Sequence, residues 1–133
     1  MINVINNAAQ TIAANQNVLF STNRLKTGCG IRHDAGSGLV RINKGGLYHA
    51  VFNGNVVATA ASTTATVAIE IDGEPVNSAT AIDTLSAVGN TASMSIDTII
   101  CVPNNCCTNI SVGNESTVSL TIQNASLIVE RIG

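Results

Sequence analysis

Two short runs in this chain place side chains where they could do chemistry. His33-Asp34 sets an imidazole next to a carboxylate, and Gly28-Cys29-Gly30 flanks a thiol with residues that leave it accessible. A general base needs an oriented partner and a nucleophile within hydrogen-bond reach, whereas neighbouring residues of a strand point to opposite faces. Asp34 also opens Asp34-Ala35-Gly36-Ser37-Gly38, where aspartate and glycine favour a turn. Cys29 has no base beside it to take its proton, and no helix follows Gly30 to receive a phosphate. His49 sits inside the apolar run Tyr48 to Phe52 and reads as a satisfied or surface histidine. Asp72-Gly73-Glu74 gathers two carboxylates, but calcium takes about six or more oxygen ligands, so a hairpin turn explains the run better. None of these groupings makes an active site, and the chain is read as a non-enzyme without a cofactor or metal.

The four cysteines, Cys29, Cys101, Cys106 and Cys107, lack the paired spacing of a zinc site. They are expected as small buried apolar residues. A disulfide between Cys101 and Cys106 across Pro103-Asn104-Asn105 is the alternative. Asn109, Asn114 and Asn124 each begin an Asn-x-Ser pattern, which arises easily in a chain this rich in Asn and Ser.

The elements that would have to position these residues are strands. The 133 residues suit one domain. They are 45% hydrophobic but only 2% aromatic and 11% charged, with a formal net charge of −2. Ala, Val, Ile and Leu supply the apolar share, with Thr, Ser and Asn beside them, a mixture for β-branched faces and polar turns. A thin scatter of Lys and Arg with three aromatic rings, Phe20, Tyr48 and Phe52, argues against nucleic-acid binding. No apolar stretch approaches the roughly 20 residues that span a bilayer, so membrane insertion is not expected. Met1 to Gln16 has neither the basic start nor the apolar middle of a secretion signal, and synthesis without export is expected.

Residues 1–16 read as an arm. Ile5, Ala8, Ala9 and Ile12 would share one helical face, yet the segment is short and an extended, partly ordered arm serves equally well. Ile2, Val4, Ile5 and Ile12 are its larger apolar residues and its candidate docking contacts. From residue 17 to 133 the pattern is strand, turn, strand. Val18-Leu19-Phe20 opens the first clear strand, and Gly54 suggests a bulge or kink in the long stretch Leu47 to Thr59. Val67, Ile69 and Ile71 alternate with Ala68 and Glu70, and Val118, Leu120 and Ile122 alternate with Ser119 and Thr121. That is the period of half-buried strands. Asn77 to Asn90 reads as a loop with a short strand around Ile82. About eight to ten short strands predict an all-β sandwich or barrel. So little charge on a monomer's surface also predicts a self-assembling protein.

Gly46-Leu47-Tyr48-His49-Ala50-Val51-Phe52 resembles the Gly-x-Tyr run that begins a central inner strand in the tumour-necrosis-factor and complement-globular-head superfamily. The Gly-rich hairpin from Asp34 to Gly46 and the final strands, Val118 to Ile122 and Ser126 to Ile132, extend the resemblance over roughly residues 17–133. The last of these is similar to the terminal domain of collagen-linked spore-surface glycoproteins. The chain departs from the pattern in having Gly45 where proline is usual, few aromatic residues, and no Gly-x-y stem. The resemblance implies a jelly-roll β-sandwich and a homotrimer, with Tyr48, Val51 and Phe52 in its interface or its core.

A stalkless trimeric jelly roll with a short arm and no export signal fits a bacteriophage head decoration or head-fibre protein on the virion surface. In that reading the arm holds capsid protein and host-surface glycan is a further ligand. The alternative is a structural protein of the bacterial spore or cell surface, and a secreted glycan- or receptor-binding ligand stands third.

Overall fold

The computed structural model describes residues 1–104 and 107–133, with 77 and 78 described by their backbone alone. Strand-forming residues spaced by two build eleven strands. β1 (Ile2–Asn6), β2 (Gln10–Ile12), β3 (Thr22–Lys26), β4 (Ile31–Arg32) and β5 (Val40–Ile42) are short. The longer ones are β6 (Gly46–Val57), β7 (Thr63–Ile71), β8 (Glu74–Leu85), β9 (Thr91–Val102), β10 (Thr108–Asn114) and β11 (Leu120–Arg131). All strand pairs are antiparallel. The first sheet runs β3-β1-β11-β6-β9, with β2 also on β11, and the second runs β4-β5-β10-β7-β8.

The inward residues of each strand meet between the sheets. Tyr48, Ala50, Phe52 and Val56 of β6 face Val67 and Ile69 of β7 and Ile110 and Val112 of β10 across a single core. The few aromatic rings are spent here: Phe20, Tyr48 and Phe52 are its largest fully buried side chains. Burying a phenylalanine or isoleucine contributes roughly 1.5–3 kcal/mol, so the chain builds its interior from many small increments.

Residues 1–16 are not an arm. β1 pairs with β11 from Ile2↔Val129 to Asn6↔Ala125, and β2 continues along the same edge from Gln10↔Ile122 to Ile12↔Leu120. Ile2, Val4 and Ile12 are buried in the core, and Ile5 is half-buried opposite Ser126. The spacing of Ile2 and Val4 is that of a strand. Pairing with β11 satisfies backbone groups that a helix would have bonded internally, and it overrides the weak helical face.

Three further expectations are corrected. Val18 and Phe20 are buried, but Val18 to Phe20 is an irregular crossing segment whose Val18 amide donates to the Val112 carbonyl at 2.8 Å. The region from Asn77 is no loop up to Leu85, because β8 pairs continuously with β7 from Ala68↔Thr80 to Thr63↔Leu85. The final two strands are one, β11, bent by a bulge between Gln123 and Ser126 where Asn124 takes a φ of 55°. Asparagine tolerates that left-handed conformation better than most residues. The bulge faces Gly54, and β6 itself is unbroken. A side chain at Gly54 would lie 2.9 Å from the Phe52 ring. Asp72 (φ 51°) and Gly73 (φ 87°) make the tight β7–β8 turn as expected.

Candidate functional site

Two surfaces stand out on opposite sides of the sandwich. The outer face of the first sheet carries Leu25, Asn3, Ile128 and Val51 side by side in register across β3, β1, β11 and β6. Ile99 of β9, 61% exposed, and Leu47 of β6 extend this apolar strip. Asn3 lies buried within it, its amide nitrogen donating to Ser126 Oγ at 3.0 Å and to the Leu127 carbonyl at 3.1 Å.

The strip also carries a cluster of charged side chains. His49 of β6 sits between Asp97 of β9 and Glu130 of β11; its Nε2 contacts Asp97, and its Nδ1 lies 3.4 Å from Glu130 Oε1. The hydrogen bond to Asp97 holds the imidazole above its usual range; desolvation opposes it, and the weaker contribution of the Glu130 hydrogen bond adds to the rise. The three side chains form an ion cluster on the sheet's outer face.

On the second sheet's outer face, Arg32 of β4 stands directly opposite Arg41 of β5, and Arg41 opposite Asn109 of β10. They border an open cleft of about 530 Å³ with His33, Asp34, Leu39 and Asn43. His33 is buried against Phe20, ring centroids 6.3 Å apart, and its nitrogens are engaged by the Ser37 carbonyl and the Asn23 amide. Asp34 is exposed and lies 3.7 Å from Arg32 Nε. The two members of the His33-Asp34 run are thus employed separately.

No protein-family model matches the chain, and no curated protein matches it in sequence. Solved structures do match. The globular domain of zebrafish complement 1qA protein superposes with a TM-score of 0.66 at 11% identity, covering 99% of this chain and 96% of that one. Murine APRIL at pH 5.0 gives a TM-score of 0.67 at 12% identity, covering 98% and 97%. The fold is a tumour-necrosis-factor-type jelly roll. The PRD1 vertex protein P5 is also similar, with a TM-score of 0.56 at 14% identity over 99% of this chain and 96% of that chain.

Within the jelly roll, Tyr48 and Phe52 are core residues, because they point between the sheets; Val51, one residue out of phase, lies half-buried on the first sheet's outer face. Cys29 and Cys101 are exposed and Cys107 is half-buried, so the expectation of buried thiols is overturned. Cys29 lies in a surface turn, and Cys101 is on the outward phase of β9. Cys106 and a Cys101–Cys106 disulfide lie outside the described residues. Asp72 Oδ1 accepts from the Asn109 amide at 2.9 Å, which commits it to the fold. Asn114 is fully buried, its side chain donating to the Ile12 and Val118 carbonyls. No glycan fits there. Among the described residues no group of three or more His, Cys, Asp or Glu could hold a metal ion.

Sequence reasoning missed a carboxyl pair. Glu70 of β7 is buried on the second sheet's outward phase, where Ser111 Oγ donates to its Oε1 at 3.0 Å. Burial, followed by the neighbouring Glu115, pushes its carboxyl up to about 7. Glu115 Oε1 is buried without a hydrogen-bond partner among the described residues. The only signal was a Glu inside the apolar alternation of β7, which period two places on the solvent side.

Proposed function

We propose that this protein is a non-enzymatic structural or attachment protein, a homotrimer at the surface of a bacteriophage head, as a decoration or head-fibre component. The observation that carries the reading is the outer face of the first sheet. Its apolar side chains, Leu25, Ile128, Val51, Ile99 and Leu47, recur across β3, β11, β6 and β9 around the buried Asn3, and His49 bridges the carboxylates of Asp97 and Glu130 among them. Two sister copies covering this face would remove its apolar side chains from water. Closed cyclic symmetry limits the association to a finite particle. The likeness to the PRD1 vertex protein supports a virion setting, as an analogy of fold. With residues 1–16 built into the sheet, capsid contact falls to exposed loops and edges of the domain.

The reading is tested by sedimentation of the wild type beside Val51→Lys and Ile99→Glu. The wild type is expected to sediment as a trimer, and both variants as folded monomers with unchanged β circular dichroism. A wild type that stays monomeric at high concentration overturns the trimer. Immunogold labelling of purified virions is expected to decorate the head, and unlabelled heads would remove the virion assignment.

A further inference from the structure

Arg32 and Arg41 face each other across β4 and β5 on the outer face of the second sheet, because their neighbours Ile31, Val40 and Ile42 fill the core. Like charges directly opposite in a sheet repel and destabilise the pairing. The chain has only six Lys and Arg in all, and two of them stand together here. Arg41 is also held in place: its Nε donates to Asn43 Oδ1 at 2.9 Å and one terminal nitrogen donates to Cys107 Sγ at 2.9 Å. A guanidinium fixed on one edge is pre-organised to offer the other in a planar fork.

Asp34 offsets part of this charge. It lies 3.7 Å from Arg32 Nε, with both side chains mostly exposed (67% and 79%), so solvent weakens the pair. Arg32, Arg41 and Asp34 together leave one positive charge uncompensated, which matches a singly charged anion better than a phosphate. Elsewhere in the cleft the Asn43 and Asn109 amides can donate and accept with hydroxyl groups, and the exposed Leu39 offers an apolar wall. A carboxylate on a ring bearing several hydroxyls satisfies all three features.

We propose that the cleft between Arg32, Arg41 and Asn109 binds an acidic saccharide through its carboxylate, which sits on the two guanidinium groups while the asparagine amides take neighbouring hydroxyls. The inference rests on the attachment reading above and supplies its ligand class. The site lies on the sheet opposite the proposed assembly face, so it stays open in the trimer and is presented once per subunit.

The test is a titration of the full chain, in low-salt buffer, with a sialic-acid-terminated trisaccharide, a glucuronate-terminated trisaccharide, neutral lactose and inorganic phosphate, followed by NMR shifts or calorimetry. At least one acidic trisaccharide is expected to bind with shifts centred on Asn43 and Asn109. Binding should fall at least tenfold in Arg32→Gln and in Arg41→Gln and rise several-fold in Asp34→Asn. Lactose is expected not to bind, and phosphate to bind more weakly than the trisaccharide. Each variant is checked for trimer mass and melting temperature, and Arg32→Gln is expected to melt no lower than the wild type because it relieves repulsion. Binding that survives both arginine variants, equal binding of lactose, stronger binding of phosphate, or no binding by either acidic trisaccharide would overturn the proposal. A trimer that forms normally in these cases leaves the assembly reading standing, whereas a monomeric wild type that still binds sugar removes the assembly and keeps the site.

Discussion

The carboxyl groups of Glu70 and Glu115 meet above Gly113. A Cβ built on that glycine would lie 2.6 Å from Glu70 Cδ and 2.7 Å from Glu115 Oε1. Glycine is therefore what allows two acids to be tucked against the sheet, where burial first and the neighbouring Glu115 second raise the Glu70 carboxyl.

The raised Glu70 carboxyl makes stability depend on pH. Glu70 titrates at about 7 in the folded chain against an ordinary 4.5, so between these values the folded state holds a proton that the unfolded state has released. Stability falls as pH rises through this window. Melting temperature is expected to drop between pH 5 and pH 8. Glu70→Gln, which keeps the shape without the charge, should flatten that drop and melt a few degrees higher than the wild type at pH 8. His49, also raised, contributes in the same direction, so a residual slope is expected in Glu70→Gln. Calorimetry across pH reads both effects, and an unchanged slope in Glu70→Gln would contradict the raised Glu70 carboxyl.

Removing the first twelve residues is expected to unfold the domain rather than free it from a tether. Ile2, Val4 and Ile12 are buried, and β1 and β2 together pair with most of one edge of β11. Val4→Asp, an unpaired charge at a dry site, should cost several kcal/mol and give the same outcome. Both can be followed by circular dichroism and melting, and a truncated chain with wild-type melting would restore the arm.

Tyr48 and Phe52 separate a hydrogen bond from packing. Tyr48 Oη donates to the Lys44 carbonyl at 2.6 Å, so Tyr48→Phe is expected to lose about 1 kcal/mol. Phe52→Ala opens a cavity beneath Gly54 and Ile122 and should lose about 3–5 kcal/mol. Denaturant titration measures the two losses, and a larger effect for Tyr48→Phe would contradict the placement of the rings.

Sequence alone was enough for the class of fold, because period two is a local property. Val67, Ile69 and Ile71, or Leu120 and Ile122, declare a strand whatever packs on them, although Val118, read in the same alternation, lies in the bend before β11, and Asp72-Gly73 declares the turn between β7 and β8. The Gly46 to Phe52 run marked a central strand by resemblance but left Tyr48, Val51 and Phe52 between interface and core, and the folded sheet is what turns Tyr48 and Phe52 inward. Only the tertiary structure decided which segments lie beside one another, since strand pairing joins residues far apart in the chain. Met1 to Gln16 looked like an arm because nothing local reveals that β11, more than a hundred residues later, is waiting for it. Arg32 and Arg41, Glu70 and Glu115, and His49 with Asp97 and Glu130 are distant in sequence and become neighbours through register. A charge shows its partner only when the strands that carry it are aligned.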